Sequence, residues 1–166
     1  FQTQFYFMLF FAVLSMSQLS AERYVSGYLF AILSLLSMTS GAFVLPAFIA
    51  TILLESIRNR SIARDQVIHI VICGVIFTAF LFTRAPDAGA VAYYAQNIKG
   101  FVITIIATIS WPFRVSYGVG LIVYLPLALL ALKACFGAKV PRIYLCLAMF
   151  MALHILAMGY FRGGEG

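Results

Sequence analysis

Apolar residues occupy most of this chain in long blocks that short polar or basic stretches separate. The blocks cover residues 5–19, 25–38, 42–57, 67–83, 98–109, 116–132 and 143–161. A helix needs about 20 residues to cross the hydrocarbon core of a bilayer. Six blocks predict membrane spans, the shorter of them if they recruit flanking polar residues or tilt little. The shortest block, residues 98–109, predicts a helix that does not cross. The expected fold is all-α, a polytopic bundle of about six transmembrane helices plus one short re-entrant or interfacial helix.

The composition also favours an integral membrane protein. Hydrophobic residues make up 64% of the sequence and charged residues 10%, and the mean hydropathy is +1.04. A soluble domain carries about 25% charged residues. Residues 1–166 are expected to form a single transmembrane domain, without a separate soluble domain or a signal peptide. Because the sequence begins at Phe1 inside an apolar block, we expect it to be an internal fragment of a longer membrane protein.

Membrane orientation explains the net charge of +6 better than a nucleic-acid partner does. Basic residues gather in two loops, which hold Arg58, Arg60, Arg64, Lys133, Lys139 and Arg142. Loops rich in Lys and Arg stay in the cytoplasm, which requires an even number of crossings between these two. Residues 98–109 then lie at the outer face. The alternative to a short outer helix is one long helix kinked at Pro112. The alternative role for the basic loops is binding of anionic lipid headgroups.

Several titratable residues are expected to have structural roles. Three of the five carboxylates have a basic neighbour, which favours local ion pairs: Glu22 with Arg23, Glu55 with Arg58 and Asp65 with Arg64. His69 and His154 lie inside apolar blocks, where ionisable groups mark function by default. Neither has a carboxylate or histidine three or four residues away, so a neutral ring bonded to a backbone carbonyl is favoured over a metal site. The three cysteines lack CxxC spacing and are expected to be buried free thiols.

The predicted topology places a small set of candidate chemical groups at the outer face. Asp87 and Glu165 are the carboxylates available there for acid, base or metal chemistry, although Asp87 stands in a sequence typical of a turn. Glu165 follows Arg162-Gly-Gly, where backbone amides and a guanidinium suit a phosphate; a helix C-cap is the alternative. The outer cations are Arg84, Lys99, Arg114 and Arg162.

Two pairs of aromatic residues are further candidate features. Tyr93-Tyr94 and Tyr160-Phe161 could stack on sugars or polyprenyl chains, with a membrane girdle and helix packing as the alternative. The sequence has no Walker loop, HExxH, GxSxG or dinucleotide fingerprint. No cofactor is evident, and a divalent metal has no ligand set to support it.

The sequence Ser-Met-Thr-Ser-Gly at residues 37–41, followed by Leu45-Pro46 and the basic loop at residues 58–64, resembles the membrane-embedded glycosyltransferases of the GT-C fold. The turn at residues 160–166 is similar to an Arg-x-Gly-x-Gly turn in the last outer loop of a group of bacterial polytopic proteins. The resemblance implies a cell-envelope protein of the bacterial inner (plasma) membrane, with membrane lipids and a polyprenyl-phosphate sugar as partners.

The resemblance also implies roles for the outer residues. Arg84, Lys99, Arg114, Arg162 and Glu165 would bind the donor, with cations on its phosphate. The catalytic carboxylate would precede Phe1, and Asp87 is the substitute within this sequence. Ser40 departs from the family, because related transferases often have Lys there. The alternatives are a non-catalytic transporter or flippase for lipid-linked glycans, an O-antigen-polymerase-like protein, and a structural membrane subunit.

Overall fold

The computed structural model describes residues 2–83, 94–110, 122, 125–126, 128–130, 132–133 and 140–162. These residues are folded as helices and short connections, so the predicted all-α class is confirmed. The helices with both ends described are α1 (Gln2–Ser20), α2 (Tyr24–Ser37), a 3-10 helix (Thr39–Phe43), α3 (Val44–Asn59), α4 (Arg64–Thr83), α5 (Ile98–Ser110) and α6 (Arg142–Arg162).

Three helical segments are long and apolar enough to cross a membrane, Ser40–Asn59, Arg64–Thr83 and Arg142–Phe161. The prediction of about six spans is therefore wrong for the described part of the chain. α2 has 14 residues, about 21 Å of helix, which is shorter than the ~30 Å hydrocarbon core. α1 has 19 residues but carries Gln, Thr or Ser near both ends. The predicted span at residues 116–132 falls mostly outside the described residues.

The short helix predicted at residues 98–109 is confirmed as α5. It has 13 residues, about 20 Å of helix, and is one of the shorter apolar helices rather than one of the three long ones. It packs against α6.

α1 and α2 form an antiparallel helical hairpin closed by a turn at residues 21–23. Two buried serines of this hairpin bond to backbone across it: Ser15 Oγ donates to the Gly27 carbonyl at 2.7 Å, and Ser34 Oγ donates to the Met8 carbonyl at 3.0 Å. A Cβ added at Gly27 would lie 2.6 Å from the Leu19 side chain. The small residue and the two hydroxyls therefore let the helices approach closely, as in other membrane helix pairs.

The core lies where α1, α2, the 3-10 helix, α3 and α6 meet. Its largest buried side chains include Met8, Met16, Leu19, Leu45, Phe48 and Phe150. Cys73 and Cys146 are buried free thiols, as predicted, and Cys135 lies outside the described residues. α3 and α6 run antiparallel. Glu55, near the end of α3, pairs with Arg142 at the start of α6, and Phe43, directly before α3, meets His154 in the middle of α6.

α4 folds back beside α3 after a tight connection. Arg60 ends α3 in the left-handed conformation, at φ 51° and ψ 26°, and Ser56 Oγ of α3 donates to Gln66 Oε1 of α4 at 3.3 Å. Only 6% of the apolar window of α4 is buried within the structure. Most of α4 therefore presents apolar side chains outward, which suits contact with lipid.

Candidate functional site

The predicted outer residues are described only in part. Lys99 is the second residue of α5 and is exposed, and Arg162 is the last residue of α6. The side chain of Arg162, and all of Arg84, Asp87, Arg114 and Glu165, lie outside the described residues. Among these candidates the structure therefore describes two backbone positions, at the start of α5 and at the end of α6.

The fold brings these two helix ends together. The Ala95 N–H donates to the Tyr160 carbonyl at 2.7 Å. The Tyr94 ring stacks on the Tyr160 ring at 5.4 Å between centroids, and it meets the edge of Phe161 at the same distance. We call Tyr94, Tyr160 and Phe161 the aromatic end of the bundle. It holds the segment leading to Lys99 against the last turn of α6.

A glycine allows this contact to be close. A Cβ added at Gly159 would lie 2.7 Å from Ile105 Cγ1 and 3.1 Å from the Phe101 ring. Both neighbours belong to α5, so a side chain at position 159 would have to push that helix away. Gly159 thus sets the distance between α5 and α6 beside the aromatic end.

The first turn of α5 is fixed by its own cap. Asn97 Oδ1 accepts the Gly100 N–H at 2.7 Å, which satisfies one of the free donors at the helix start. Gln96 Nε2 donates to the Tyr94 carbonyl at 3.3 Å. An open depression of about 280 Å³ lies here, lined by Ala95, Gln96, Asn97, Ile98, Phe101 and Tyr160. The sequence did not indicate this depression, because its walls come from segments about 60 residues apart.

The opposite end of α6 carries a polar cluster that sequence analysis did not predict. Arg142 Nε lies 3.0 and 3.1 Å from the two carboxylate oxygens of Glu55, and a terminal guanidinium nitrogen of Arg142 lies 3.0 Å from Glu55 Oε2. The Glu55 side chain is 11% exposed and that of Arg142 is 24% exposed. This ion pair joins the last turn of α3 to the first residue of α6.

Arg142 also reaches the α1–α2 hairpin. A second guanidinium nitrogen lies 3.6 Å from Glu22, whose side chain is mostly exposed, and the guanidinium interacts electrostatically with the Tyr24 phenol. The described ion pairs of Glu22 and Glu55 thus go to Arg142 rather than to their expected sequence neighbours. Burial raises the pKa of the Tyr24 phenol, and the Glu22 carboxylate raises it further, so this hydroxyl stays protonated at neutral pH.

His69 joins α4 to the same region. Its ring stacks on Tyr24 at 3.6 Å between centroids, and its Nδ1 lies 2.7 Å from the Tyr28 hydroxyl. We call Glu22, Tyr24, Glu55, His69 and Arg142 the Arg142 cluster. The expected backbone carbonyl partner is wrong for Nδ1, because a hydroxyl from another helix occupies that position. The partner is 41 residues away in sequence, so no local spacing indicated it.

His154 has a different environment. It lies between Phe43, which it meets edge-on at 6.2 Å, and Phe150 at 6.1 Å. Its Nδ1 is buried and has no hydrogen-bond partner within the described residues. The expected carbonyl bond is therefore not made by this nitrogen in the described part of the chain.

The two ends of α6 differ in what they can do chemically. The Arg142 cluster pairs its charges internally and links the turn before α2 with α2, α3, α4 and α6, which is a structural role. The aromatic end leaves tyrosines half exposed beside a cation and a depression, which suits a ligand. No group of three or more potential metal ligands occurs in the residues that the structure describes. Comparison with protein-family models, characterised proteins and solved structures finds no significant match for the chain.

Proposed function

We propose that this chain is part of an integral membrane glycosyltransferase that uses a polyprenyl-phosphate-linked sugar at the outer face of a bacterial inner membrane. The observation that carries the proposal is the bond between the Ala95 N–H and the Tyr160 carbonyl. It places the start of α5, with exposed Lys99, beside the end of α6, where Arg162 stands. Two of the four cations expected to bind the donor phosphate thus belong to neighbouring helix ends.

The chemistry of the donor suits this end of the bundle. A polyprenyl-phosphate sugar combines an apolar tail, an anionic phosphate and a polar ring. The apolar outer surfaces of the helices suit the tail, and Lys99 with Arg162 suits the phosphate, because ionised donors bind phosphate oxygens strongly. In the transfer step the bond between the sugar and the phosphate oxygen breaks. The phosphate leaves with its electron pair, and nearby cations stabilise that charge.

The acceptor must lose a proton in the same reaction, which requires a base. The proposed base is a carboxylate in a segment that precedes Phe1, and Asp87 is the substitute within this sequence. The Arg142 cluster is not a substitute, because it lies at the opposite end of α6 and its two carboxylates contact Arg142.

Binding measurements on the protein in lipid nanodiscs test the proposal. The probe is a short-chain polyprenyl-phosphate glucose, and the variants are Lys99→Ala and Arg162→Ala. Each should weaken binding about tenfold, because each removes a charged hydrogen-bond donor. Arg64→Ala is the matched control, since Arg64 is exposed at the far end of the bundle, and it should bind normally. Unchanged binding in both test variants would overturn the proposed phosphate site.

A second assay separates transfer from transport. With a radiolabelled sugar on the same probe, a transferase releases the polyprenyl phosphate and moves the label to another molecule. A non-catalytic carrier moves the intact probe across a vesicle bilayer and leaves the label attached. Movement of the intact probe without transfer would therefore replace the proposal with the carrier alternative.

A further inference from the structure

The depression at the aromatic end has the two kinds of wall that a sugar ring needs. Tyr160 is 50% exposed and stacks on Tyr94, and Phe101 and Ile98 provide the rest of the apolar wall. Gln96 and Asn97 contribute side-chain amides to the lining. A monosaccharide has an apolar face of C–H groups and a rim of hydroxyls. Small-molecule sites commonly combine such apolar walls with a few placed polar groups.

The walls are held in place before any ligand binds. The bond from Ala95 to Tyr160 ties the connecting segment to α6. The cap at Asn97 fixes the first turn of α5, and Gly159 permits close contact between Phe101 and α6. Each restraint comes from a different residue, so the depression is part of the fold. Preorganised walls lower the entropy lost when a ligand binds.

The charge beside the depression indicates what the sugar is attached to. Lys99 directly follows Ile98, which lines the depression, and Arg162 lies two residues after Tyr160. Positions 99 and 162 therefore adjoin, along the chain, residues that line the depression, which suits a sugar that carries a phosphate. A neutral free sugar would use the walls and leave the cations without a ligand.

We infer that the depression formed by Gln96, Asn97, Phe101 and Tyr160 is the subsite for the hexose ring of a polyprenyl-phosphate sugar, with the Tyr160 ring against the C–H face of the sugar. This inference rests on the proposed function and adds to it the residues that recognise the sugar. Gln96 Nε2 donates to the Tyr94 carbonyl, so Gln96 accepts from ring hydroxyls through its Oε1. Asn97 Oδ1 is engaged in the helix cap, so its contribution comes from the amide nitrogen.

The experiment compares two probes on the protein in nanodiscs, a short-chain polyprenyl phosphate and the same lipid carrying glucose. Tyr160→Leu should weaken binding of the glucose-bearing probe about fivefold, from the loss of one aromatic contact, and leave binding of the bare phosphate unchanged. Gln96→Ala should act in the same direction without altering the helices, because Gln96 precedes α5 and is exposed. Tyr144→Leu is the control, since Tyr144 is 47% exposed on the same helix, near its other end.

The outcomes separate this inference from the proposed function. If the unmodified protein binds both probes and the two variants weaken them equally or not at all, the sugar subsite is wrong while the phosphate site stands. If the unmodified protein binds neither probe, the proposed function fails and the subsite fails with it. Selective loss of the glucose-bearing probe in both variants, with Tyr144→Leu unchanged, supports the subsite.

Discussion

Arg142, the first residue of α6, holds both carboxylate oxygens of Glu55, in the last turn of α3, at 3.0 and 3.1 Å through its Nε. The two residues are 87 positions apart in sequence. This ion pair fixes one end of α6 on the bundle, while contacts around Gly159 and Tyr160 fix α5 at the other. The pair therefore sets the position of the helix that carries the proposed ligand site.

Breaking the ion pair should destabilise the protein strongly. Arg142→Gln leaves Glu55 buried without its ion partner, a change that costs about 3 to 5 kcal/mol of unfolding free energy. Glu55→Gln should cost less, because Arg142 keeps the exposed Glu22 at 3.6 Å. Thermal unfolding in one detergent measures it. The double variant Glu55→Leu/Arg142→Met should recover most of the loss, because neither charge then remains. Equal losses in the single and double variants would contradict this account.

Glu22→Gln is the comparison for that series. Glu22 also faces Arg142, at 3.6 Å, but its side chain is 69% exposed. Exposed ion pairs contribute less than about 1 kcal/mol. The variant should therefore unfold close to the temperature of the unmodified protein, and a large drop would show that Glu22 has a further role.

Substitution by alanine should have opposite effects on stability at two glycines, Gly41 and Gly74. In Gly41→Ala the new Cβ would overlap the backbone carbonyl of Ser34, so the 3-10 helix must move away from α2, at a cost of about 1 to 3 kcal/mol. In Gly74→Ala the Cβ meets nothing within 4 Å, and alanine favours the helix by about 1 kcal/mol. In detergent, Gly41→Ala should unfold at a lower temperature than the unmodified protein, and Gly74→Ala should unfold at a higher one. The same sign for both would count against the close contact at Gly41.

Removing the hydrogen bond of His69 should destabilise the protein. Tyr28→Phe removes the hydroxyl that meets His69 Nδ1 at 2.7 Å, which should cost about 1 to 3 kcal/mol because a partly buried polar atom loses its partner. A double-mutant cycle with His69→Phe measures the coupling. Additive losses, with no coupling energy, would show that this hydrogen bond does not form.

His154→Phe should leave stability unchanged or raise it. His154 Nδ1 is buried without a partner in the described residues, and Phe43 and Phe150 already surround the ring. Phenylalanine removes the unsatisfied polar atom and keeps the aromatic contacts, a gain of up to about 1 kcal/mol. A loss of more than that amount in detergent would mean that His154 has a polar partner.

Thiol labelling tests the orientation used for the proposed site. Gln96 and Ser61 are exposed and lie toward opposite ends of the bundle. In intact cells an impermeant reagent should label Gln96→Cys, and it should label Ser61→Cys only after permeabilisation. Cys73 and Cys146 are buried, so the unmodified protein gives the background, which includes Cys135. Labelling of position 61 from outside would show that the protein has the opposite orientation in the membrane.

Local sequence predicted a useful part of the fold. Long apolar blocks predicted α3, α4 and α6, and the shorter block predicted α5, because helix type and length follow from contiguous residues. The span count was too high because the 14-residue block at residues 25–38 was counted as a span. The corresponding helix, α2, has 14 residues, fewer than the about 20 that a bilayer crossing needs. The close approach of Gly41 to Ser34 just after α2 is a contact that the sequence did not indicate.

The candidate site, like the fold, was predicted from the sequence only in part. The sequence by itself determined the apolar character of the chain, the free thiols and the scarcity of charge, because these follow from residue type. The tertiary structure decided that Arg142 binds Glu55, that His69 meets Tyr28, and that Tyr160 faces the segment before Lys99. These partners lie on different helices, and contacts between distant segments depend on how helices pack rather than on local spacing.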